Sequence, residues 1–583
     1  MTSDRGGGSG WLRAVAIAVA VAVVSASVGG PTRGADAPKA KKAVPLEPEV
    51  VRTIDHEDVD GRSKQPDGPV KPPSPPSLRP SEVDALIAGR LEASKTAPSP
   101  LTTDEEFLRR LYLDVLGRLP EPGSVRQFVA ARQRDKRALL IDDLLNQPEY
   151  AENWARYWRD VIAFRSPNEN DNQVHYPLFE KWLAEQFAAN EPWDKIVTRI
   201  LTATGRNDEN GATVFAVAEE GQAVEIAGEA SRIFLGVQIQ CAQCHDHPSD
   251  PWKRQQFHEF AAFFVGVKSR RVKDSKPPVF TVDASGPSHY SMPDLKNPEK
   301  KVPVSPRFFL NDAPQLSEQV KADQRLALVA GYITDRENPW FARAFINRVW
   351  YALIGEGFYN PVDDLGPTRT ANAPEILGLL AENWQRSGYD IKWLFRTILN
   401  TEAYQRQSRS TNTEAGRTPF ASNCPSRLRA DQIFDALSHV LDLGHERDQV
   451  LSRAAKGKGP AGAKGRRGAD GRALFDRTFG VDPSTPNDDV LGTIPQALLL
   501  MNGPIVAREV QARPGTMLGQ LLMAHPDNRT VLDLLYLRAL GRKPSPREVT
   551  SCSRYLQTLG DRGEAFEDIL WALINTTEFL SRR

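Results

Sequence analysis

Cysteine is scarce in this chain, which has four cysteines among 583 residues. That number is too small for the disulfide framework that stabilises small secreted domains. The chain also lacks a net charge, because its 74 Lys and Arg residues are matched by 74 Asp and Glu residues. Proteins that bind nucleic-acid phosphates normally carry a basic excess, so we expect no nucleic-acid partner. Long apolar runs are missing as well, and the composition excludes a polytopic membrane protein.

The longest apolar run lies near the N-terminus, from Ala14 to Val24. It is shorter than the roughly 20 residues that a membrane-spanning helix needs. The basic residue Arg13 precedes it, and the small residues up to Ala26 form an acceptable cleavage site. We therefore expect residues 1–30 to be the signal peptide of an exported, periplasmic or cell-surface protein. An uncleaved anchor, which would attach the protein to a membrane, is the alternative.

The periodicity of the apolar residues predicts a mainly α fold with two multi-helical domains and an irregular, partly β junction. The predicted order is a Pro- and Lys-rich linker (31–80), a helical domain (81–267), the junction (268–322) and a second helical domain (323–583). A disordered basic insertion is predicted at 453–472, and a short strand at Val279–Val282.

One predicted helix begins at a capping box, Thr103-x-x-Glu106, and ends at Gly117. It belongs to an internal repeat, because the pattern of Leu111–Pro120 returns at Leu535–Pro544. A second helix follows each copy and ends on the same pattern of apolar residues, an Asn and an aromatic residue. We interpret the repeat as a packing unit.

The motif with the clearest chemistry is Cys241-Ala242-Gln243-Cys244-His245, the C-x-x-C-H signature of c-type haem attachment. Two thiols three residues apart can each bond one vinyl-derived carbon of a porphyrin, and the adjacent imidazole then ligates the iron. The motif predicts haem c, with Cys241 and Cys244 as the anchors and His245 as the proximal iron ligand.

The sixth iron ligand is less well defined by sequence. Met292, followed by a proline, is the first candidate, because small cytochromes c commonly present a methionine in such a loop. His247 is the alternative metal ligand, His258 and His289 are further candidates, and an open position is also compatible with the motif.

Three other interpretations of the cysteine pair stay open. Cys241 and Cys244 can form a disulfide, or they can act as a redox dithiol. A zinc site with His247 and His258 would need a gap of 11 residues between the histidines, against the usual 3–5.

Two further groups of residues have mainly structural interpretations. The tryptophans in Trp154-x-x-x-Trp158 predict an aromatic helical core, although such rings can also stack on a sugar or a porphyrin. The pair Asp363-Asp364 predicts a turn or a helix cap. Cys424 and Cys552 are expected to be buried thiols or a bridge.

Several longer blocks resemble a known family. The matching blocks are Phe107–Pro120, Trp154–Asp160 and Phe234–Pro248 in the first half, and Asn338–Trp350, Pro361–Asp364, Gly388–Leu394 and Thr493–Leu498 in the second. The first group resembles the planctomycete cytochrome-c-like domain, and the second resembles its usual C-terminal companion; both are domains of unknown function. The companion often has a His before its Pro-Glu pair, where this chain has Ala373.

The resemblance implies an exported protein and assigns the family's C-x-x-C-H to Cys241, Cys244 and His245. We therefore expect a carrier of one c-type haem for electron transfer or redox sensing, with a redox partner protein. The alternative is a non-redox extracytoplasmic scaffold or a polysaccharide- or protein-binding module with a Cys241–Cys244 disulfide. Whether the chain is an enzyme is left open, since an activity on a glycan rests on association alone.

Overall fold

The structure is a computed structural model that describes residues 78–165, 176–275, 278–285, 289–311, 313–317, 320–408, 418–443, 471–487, 490 and 492–583. It confirms the mainly α fold with little strand. The predicted signal peptide, nearly all of the linker and most of the basic insertion lie outside the described residues. None of the helices within the described ranges is both long and apolar enough to cross a membrane.

Ten helices occupy the described part of the chain up to the first long β segment. They are Pro80–Ala93 (α1), Asp104–Leu111 (α2), Pro122–Ala130 (α3), Lys136–Leu145 (α4), Pro148–Ala163 (α5), Tyr176–Ala188 (α6), Trp193–Leu201 (α7), Val214–Ala218 (α8), Ala223–Ala230 (α9) and Arg254–Ala261 (α10).

The helices of the second half follow the β segment. They are Ala322–Thr334 (α11), Pro339–Ile354 (α12), Pro374–Arg386 (α13), Ile391–Leu399 (α14), Glu402–Gln405 (α15), Ala430–Leu441 (α16), Gly471–Phe479 (α17), Ile494–Asn502 (α18), Pro504–Glu509 (α19), Met517–Ala524 (α20), Asn528–Leu540 (α21), Pro546–Leu559 (α22) and Arg562–Ile574 (α23).

The strands are short and antiparallel. They are Gly205–Arg206 (β1), Lys268–Arg271 (β2), Phe280–Asp283 (β3), Tyr290–Pro293 (β4), Lys301–Val304 (β5), Ser426–Arg427 (β6) and Ser581–Arg582 (β7). The three sheets have the orders β1-β3-β2, β4-β5 and β6-β7. The strand predicted at Val279–Val282 is β3, displaced by one residue.

The start of α2 shows half of the predicted capping box. The Thr103 hydroxyl accepts a hydrogen bond from the Glu106 amide at 3.2 Å, as an N-cap should. The Glu106 carboxylate does not complete the reciprocal bond; it accepts from Arg110 Nη2 at 3.4 Å. A buried guanidinium one turn away therefore competes with the backbone for this carboxylate.

Helices α2 and α9 end in the same way. Each is extended by a five-residue π-helical turn, Tyr112–Leu116 and Ser231–Leu235. A glycine in the left-handed region then ends it, Gly117 with φ 72° and Gly236 with φ 65°. A Cβ atom on Gly236 would lie 2.7 Å from the Leu365 side chain, so this ending also allows a close contact with the second half.

The two copies of the internal repeat are closed by equivalent contacts. The Arg118 guanidinium lies 5.5 Å from the centre of the Tyr112 ring and 3.4 Å from the Glu149 carboxylate. In the second copy, Arg542 lies 5.6 Å from the Tyr536 ring and 2.7 Å from the Glu578 carboxylate. Each arginine joins the start of its repeat to the end, which agrees with a packing unit.

The copies also exchange core residues. The first hydrophobic core extends from Leu78 to Ala421 and includes Leu537 of the second copy. The second core, built mainly from residues after position 427, includes the equivalent Leu113 of the first copy. The packing therefore divides the described chain into two cores after Ala421. The apolar residues of the predicted junction at 268–322 pack into the first core.

The aromatic core joins the two predicted domains. The rings of Trp158 and Phe345 stack at 5.1 Å, and those of Phe345 and Trp384 stack at 4.6 Å. Trp193 also lies 4.6 Å from Phe345. Trp158 and Trp154 are both buried, so their helical spacing reflects core packing, as we expected.

A buried ion network centred on Asp363 crosses the same interface. Its carboxylate accepts from Arg232 Nη1 at 2.9 Å and from Gln238 Nε2 at 2.9 Å, and it lies 3.7 Å from Arg348 Nη2. The Ser484 hydroxyl accepts from both guanidinium groups. Burial would raise the pKa of Asp363, but Arg348 and Arg232 outweigh it and hold the pKa below the usual value.

We predict that Asp363→Asn lowers the free energy of unfolding by about 3–5 kcal/mol, because it removes the carboxylate that pairs with the buried Arg348 and leaves Arg232 with Glu229 alone. The depressed pKa means that Asp363 stabilises the fold above its ordinary pKa of 3.8, and that this is lost as the pH falls through the folded value. Urea unfolding measures the difference in the free energy of unfolding between wild type and Asp363→Asn, and this difference should become smaller as the pH falls.

The neighbouring Asp364→Asn is the matched control. Asp364 pairs with Arg369, whose side chain is 37% exposed, so its loss should cost under about 1 kcal/mol. Equal effects of the two substitutions would contradict a central role for Asp363.

Candidate functional site

The C-x-x-C-H motif lies on a surface loop between α9 and α10. Gly236 turns the chain out of α9, and residues 240–243 form a single 3₁₀ turn. The buried side chains of Val237, Ile239 and Ala242 fix the loop to the first core. Cys241, Cys244 and His245 face solvent together.

The orientation of His245 determines which of its nitrogens is available. His245 Nδ1 lies 2.7 Å from the carbonyl oxygen of Asp246. Because a carbonyl only accepts, Nδ1 carries the proton and donates, and the lone pair of the neutral ring lies on Nε2. Metal-ligating histidines usually donate their other ring N–H to such a carbonyl. His245 is therefore already in the tautomer that a metal ligand needs.

His258 holds the motif from the inside. It is buried on α10, and its Nε2 donates to the Gln243 carbonyl, between the two cysteines, at 3.0 Å. Its Nδ1 accepts from the Tyr290 hydroxyl at 2.7 Å. Burial lowers the pKa of His258, so the ring is neutral at neutral pH. Both ring nitrogens of His258 are thus hydrogen-bonded, and His258 stabilises the motif loop in this structure.

Asp246 joins the motif to the start of α10. Its carboxylate accepts from the Arg254 amide at 3.0 Å and from Lys253 Nζ at 3.0 Å. The hydrogen bond from the Arg254 amide and that from Lys253 hold the pKa of Asp246 below its usual range. Asp246 thus stays ionised and holds the motif loop against the start of α10.

The first candidate for the sixth ligand lies on the other side of Arg254. Met292 is on β4, and its sulfur accepts from Arg254 Nη1 at 3.4 Å. Arg254 Nη2 donates to the Pro293 carbonyl at 2.7 Å. Met292 is therefore joined to the motif loop through Arg254 and Asp246, and its sulfur would have to leave Arg254 to bind a metal.

His247 is folded back on its own loop. Its Nδ1 accepts from the Asp250 amide at 2.9 Å and from the Ser249 amide at 3.3 Å, so the proton of a neutral ring lies on Nε2. His289, the further candidate, is exposed just before β4.

The described residues contain no cluster of three or more His, Cys, Asp and Glu side chains that could hold a metal ion. The zinc alternative, which used His247 and His258 with the cysteine pair, therefore gains no support. No disulfide joins the four cysteines in the structure, and Cys424 and Cys552 are buried, as one of the two expectations had it.

The second half of the chain forms part of the motif's surroundings. The Leu365 amide donates to the Gly236 carbonyl at 2.7 Å, and Gln238 donates to Asp363 as described. The Thr368 hydroxyl donates to the buried carboxylate of Asp250. Residues 363–368 thus hold the motif loop before and after the cysteines.

Sequence reasoning missed this role. It assigned Asp363 and Asp364 to a turn or a helix cap, and nothing in their spacing points to a motif more than a hundred residues earlier. The only available signal was that both acids lie in Pro361–Asp364, one of the blocks that resemble a known domain.

We predict that His258→Leu opens the motif loop, because it leaves the Gln243 carbonyl and the Tyr290 hydroxyl without their buried partner, at a cost of about 1–3 kcal/mol. Hydrogen–deuterium exchange of the peptide covering residues 240–247 should become faster. Tyr290→Phe keeps the bond to Gln243 and should leave this exchange nearly unchanged. Equal protection in wild type and His258→Leu would refute the role of His258.

Comparison with known families finds a match in each half of the sequence. Residues 82–269 match PSCyt2, described as a protein of unknown function (DUF1549). Residues 324–460 match PSD1, described as a protein of unknown function (DUF1553). No curated protein and no solved structure matches the chain. The chain therefore belongs to the family of proteins that join a PSCyt2 domain to a PSD1 domain.

Proposed function

We propose that this protein is exported and carries one c-type haem for electron transfer or redox sensing. Cys241 and Cys244 are its covalent anchors, and His245 Nε2 is the proximal ligand. The observation that carries the proposal is the hydrogen bond from His245 Nδ1 to the Asp246 carbonyl. This hydrogen bond leaves Nε2 of His245, which lies in the exposed part of the loop, with a lone pair.

The state of the thiols agrees with covalent attachment. Cys241 and Cys244 are free and exposed, so a porphyrin can reach both. Attachment adds each S–H bond across one vinyl double bond: sulfur bonds to one carbon, hydrogen to the other, and no oxidant is needed. The predicted signal peptide supplies the export that this chemistry accompanies.

The surrounding residues have positioning roles in this proposal. His258 fixes the Gln243 carbonyl between the anchors, and Asp246 fixes the backbone after the ligand. A bound haem supplies a reversible one-electron couple, whose potential depends on axial ligands and exposure. Because the motif lies at the surface, the proposal favours exchange of electrons with a partner protein.

The decisive experiment is to produce the signal-bearing chain in a host that has haem-attachment machinery. We expect the purified protein to keep a Soret band after denaturation and acid–acetone extraction. The double variant Cys241→Ser/Cys244→Ser should lose all covalent haem, whereas Cys552→Ala, which changes a buried thiol elsewhere, should keep it.

Wild-type protein without covalent haem under these conditions would refute the proposal. If its intact mass then shows a Cys241–Cys244 disulfide, the result supports the extracytoplasmic scaffold instead. Retention on a polysaccharide column would extend that alternative to a glycan-binding module.

Met292 can be tested as the sixth ligand in the haem-loaded protein. If its sulfur leaves Arg254 to bind the iron, Met292→Ala should abolish the long-wavelength sulfur–iron band. The exposed Met523 provides the control, and Met523→Ala should leave the spectrum unchanged. If Met292→Ala does not alter the spectrum, Met292 is not the sixth ligand. His247 or an open position is then the alternative.

A further inference from the structure

The side chains of His258 and Tyr290 lie directly behind the C-x-x-C-H loop. The Tyr290 hydroxyl donates to His258 Nδ1 at 2.7 Å, and His258 Nε2 donates to the Gln243 carbonyl at 3.0 Å. Two hydrogen bonds and one imidazole ring therefore join the phenol of Tyr290 to the backbone between the proposed haem anchors. The bond to Gln243 holds the loop by itself, so the phenol on the other nitrogen is a group that the proposed function does not use.

The two hydrogen bonds determine the direction in which a proton can move. A carbonyl only accepts, so Nε2 of His258 carries the ring proton, and Nδ1 has the lone pair that accepts from the phenol. Proton transfer to a positioned base takes place over distances of about 2.6–3.2 Å. The distance of 2.7 Å between the Tyr290 oxygen and Nδ1 lies in this range. Nδ1 is therefore positioned to take the Tyr290 proton.

A phenol that has a base as its partner is easier to oxidise than one that has not. Loss of an electron makes the phenol a strong acid, and the oxidation is favourable when the proton has an acceptor close by. Imidazole is the side chain that serves most often as such an acceptor near neutral pH. Tyr351 provides the contrast, because it donates to the Thr485 carbonyl at 3.3 Å, an oxygen too weakly basic to take the proton.

The surroundings of His258 favour the return of the proton. Burial and, to a smaller extent, the charge of Arg254 lower the pKa of His258. An imidazolium at this position is therefore stabilised only while the phenol is oxidised, and it returns the proton when an electron comes back. The pair can then react again.

We infer that Tyr290 is a redox-active side chain of the motif site, which gives up one electron while its proton moves to His258. Its O–H bond breaks, and an N–H bond forms at His258 Nδ1. The inference rests on the proposed function for its oxidant, which is hydrogen peroxide that reacts at the haem. Peroxide takes two protons from solvent and two electrons, one from the iron, which passes from ferrous to ferric, and one from Tyr290. The products are two molecules of water.

The position of Met292 is compatible with this reaction. Peroxide needs access to the iron, and an open sixth position is one of the arrangements that the motif allows. In the structure the Met292 sulfur accepts from Arg254 at 3.4 Å. Met292 and Tyr290 lie on the same strand, β4, so the strand that holds the methionine on Arg254 also places the phenol on His258.

The first test uses the full chain in a haem-free form, the double variant Cys241→Ser/Cys244→Ser, and so does not depend on haem attachment. Flash-generated ruthenium(III) tris-bipyridine supplies the oxidant, and electron paramagnetic resonance of freeze-quenched samples detects the radical. We expect a long-lived tyrosyl radical that Tyr290→Phe loses and Tyr351→Phe keeps. An equal yield and lifetime of the radical in Tyr290→Phe overturns the inference.

The second test separates a redox role of His258 from a structural one. His258→Gln keeps an N–H donor for the Gln243 carbonyl but has no basic nitrogen for the phenol. In the haem-free chain we expect this substitution to slow radical formation by about 10²-fold, since a positioned base typically contributes at least that much. Without the substitution, the radical should form more slowly in D2O than in water. Equal rates with and without His258→Gln, or in the two solvents, overturn the inference.

The third test uses the haem-loaded protein, which is reduced and then mixed with hydrogen peroxide. The same radical should appear, and Tyr290→Phe should lack it while it keeps the Soret band. Loaded protein that forms no radical at Tyr290 overturns the inference and leaves the haem proposal intact. A chain without covalent haem refutes the proposed function instead, and the first two tests still decide whether Tyr290 and His258 form a redox pair.

Discussion

The carboxylate of Asp363 binds guanidinium groups from opposite halves of the chain, Arg232 at the end of α9 and Arg348 on α12. In a low-dielectric interior, charges of this kind tolerate only arrangements in which each has its counter-charge. The two halves can therefore pack in only one register. The aromatic stack beside the ion network buries more apolar area but does not determine that register. Because Arg232 lies a few residues before Gly236, this register also determines where the motif loop leaves the core.

The motif loop combines a fixed backbone with exposed reactive groups. Its apolar residues are buried, His258 binds the Gln243 carbonyl, and the Asp246 carboxylate binds the Arg254 amide at the start of α10. The two thiols and the free nitrogen of His245 are left on the outside. This is the arrangement that a covalently attached cofactor needs, since the anchors have to be accessible before attachment and well positioned afterwards. The second half of the chain contributes to that positioning through residues 363–368.

The sequence predicted features that depend on neighbouring residues. The mainly α fold, the N-cap at Thr103, the helix end at Gly117 and the aromatic core all follow from local periodicity or from the chemistry of one residue type. The features that were missed depend on contacts between distant residues. Asp363 acquires its role from Arg232 and Gln238, and Met292 from Arg254.

The packing of the helices into two cores was not predicted for the same reason. The apolar faces show that a helix is buried, but they do not specify which helix covers them.

The exchange of Leu113 and Leu537 between the two cores has a consequence for the order in which this chain folds. Leu113 packs among residues that follow position 427, and Leu537 packs among residues that precede position 422. Neither core can be completed while only the first half of the polypeptide has been made, so the N-terminal domain cannot finish folding ahead of the rest during synthesis, as domains commonly do. The chain must wait for its last helices, and contacts so distant in sequence make for slow folding. A chain that stays open until synthesis ends is also in the state that transport through a narrow channel requires.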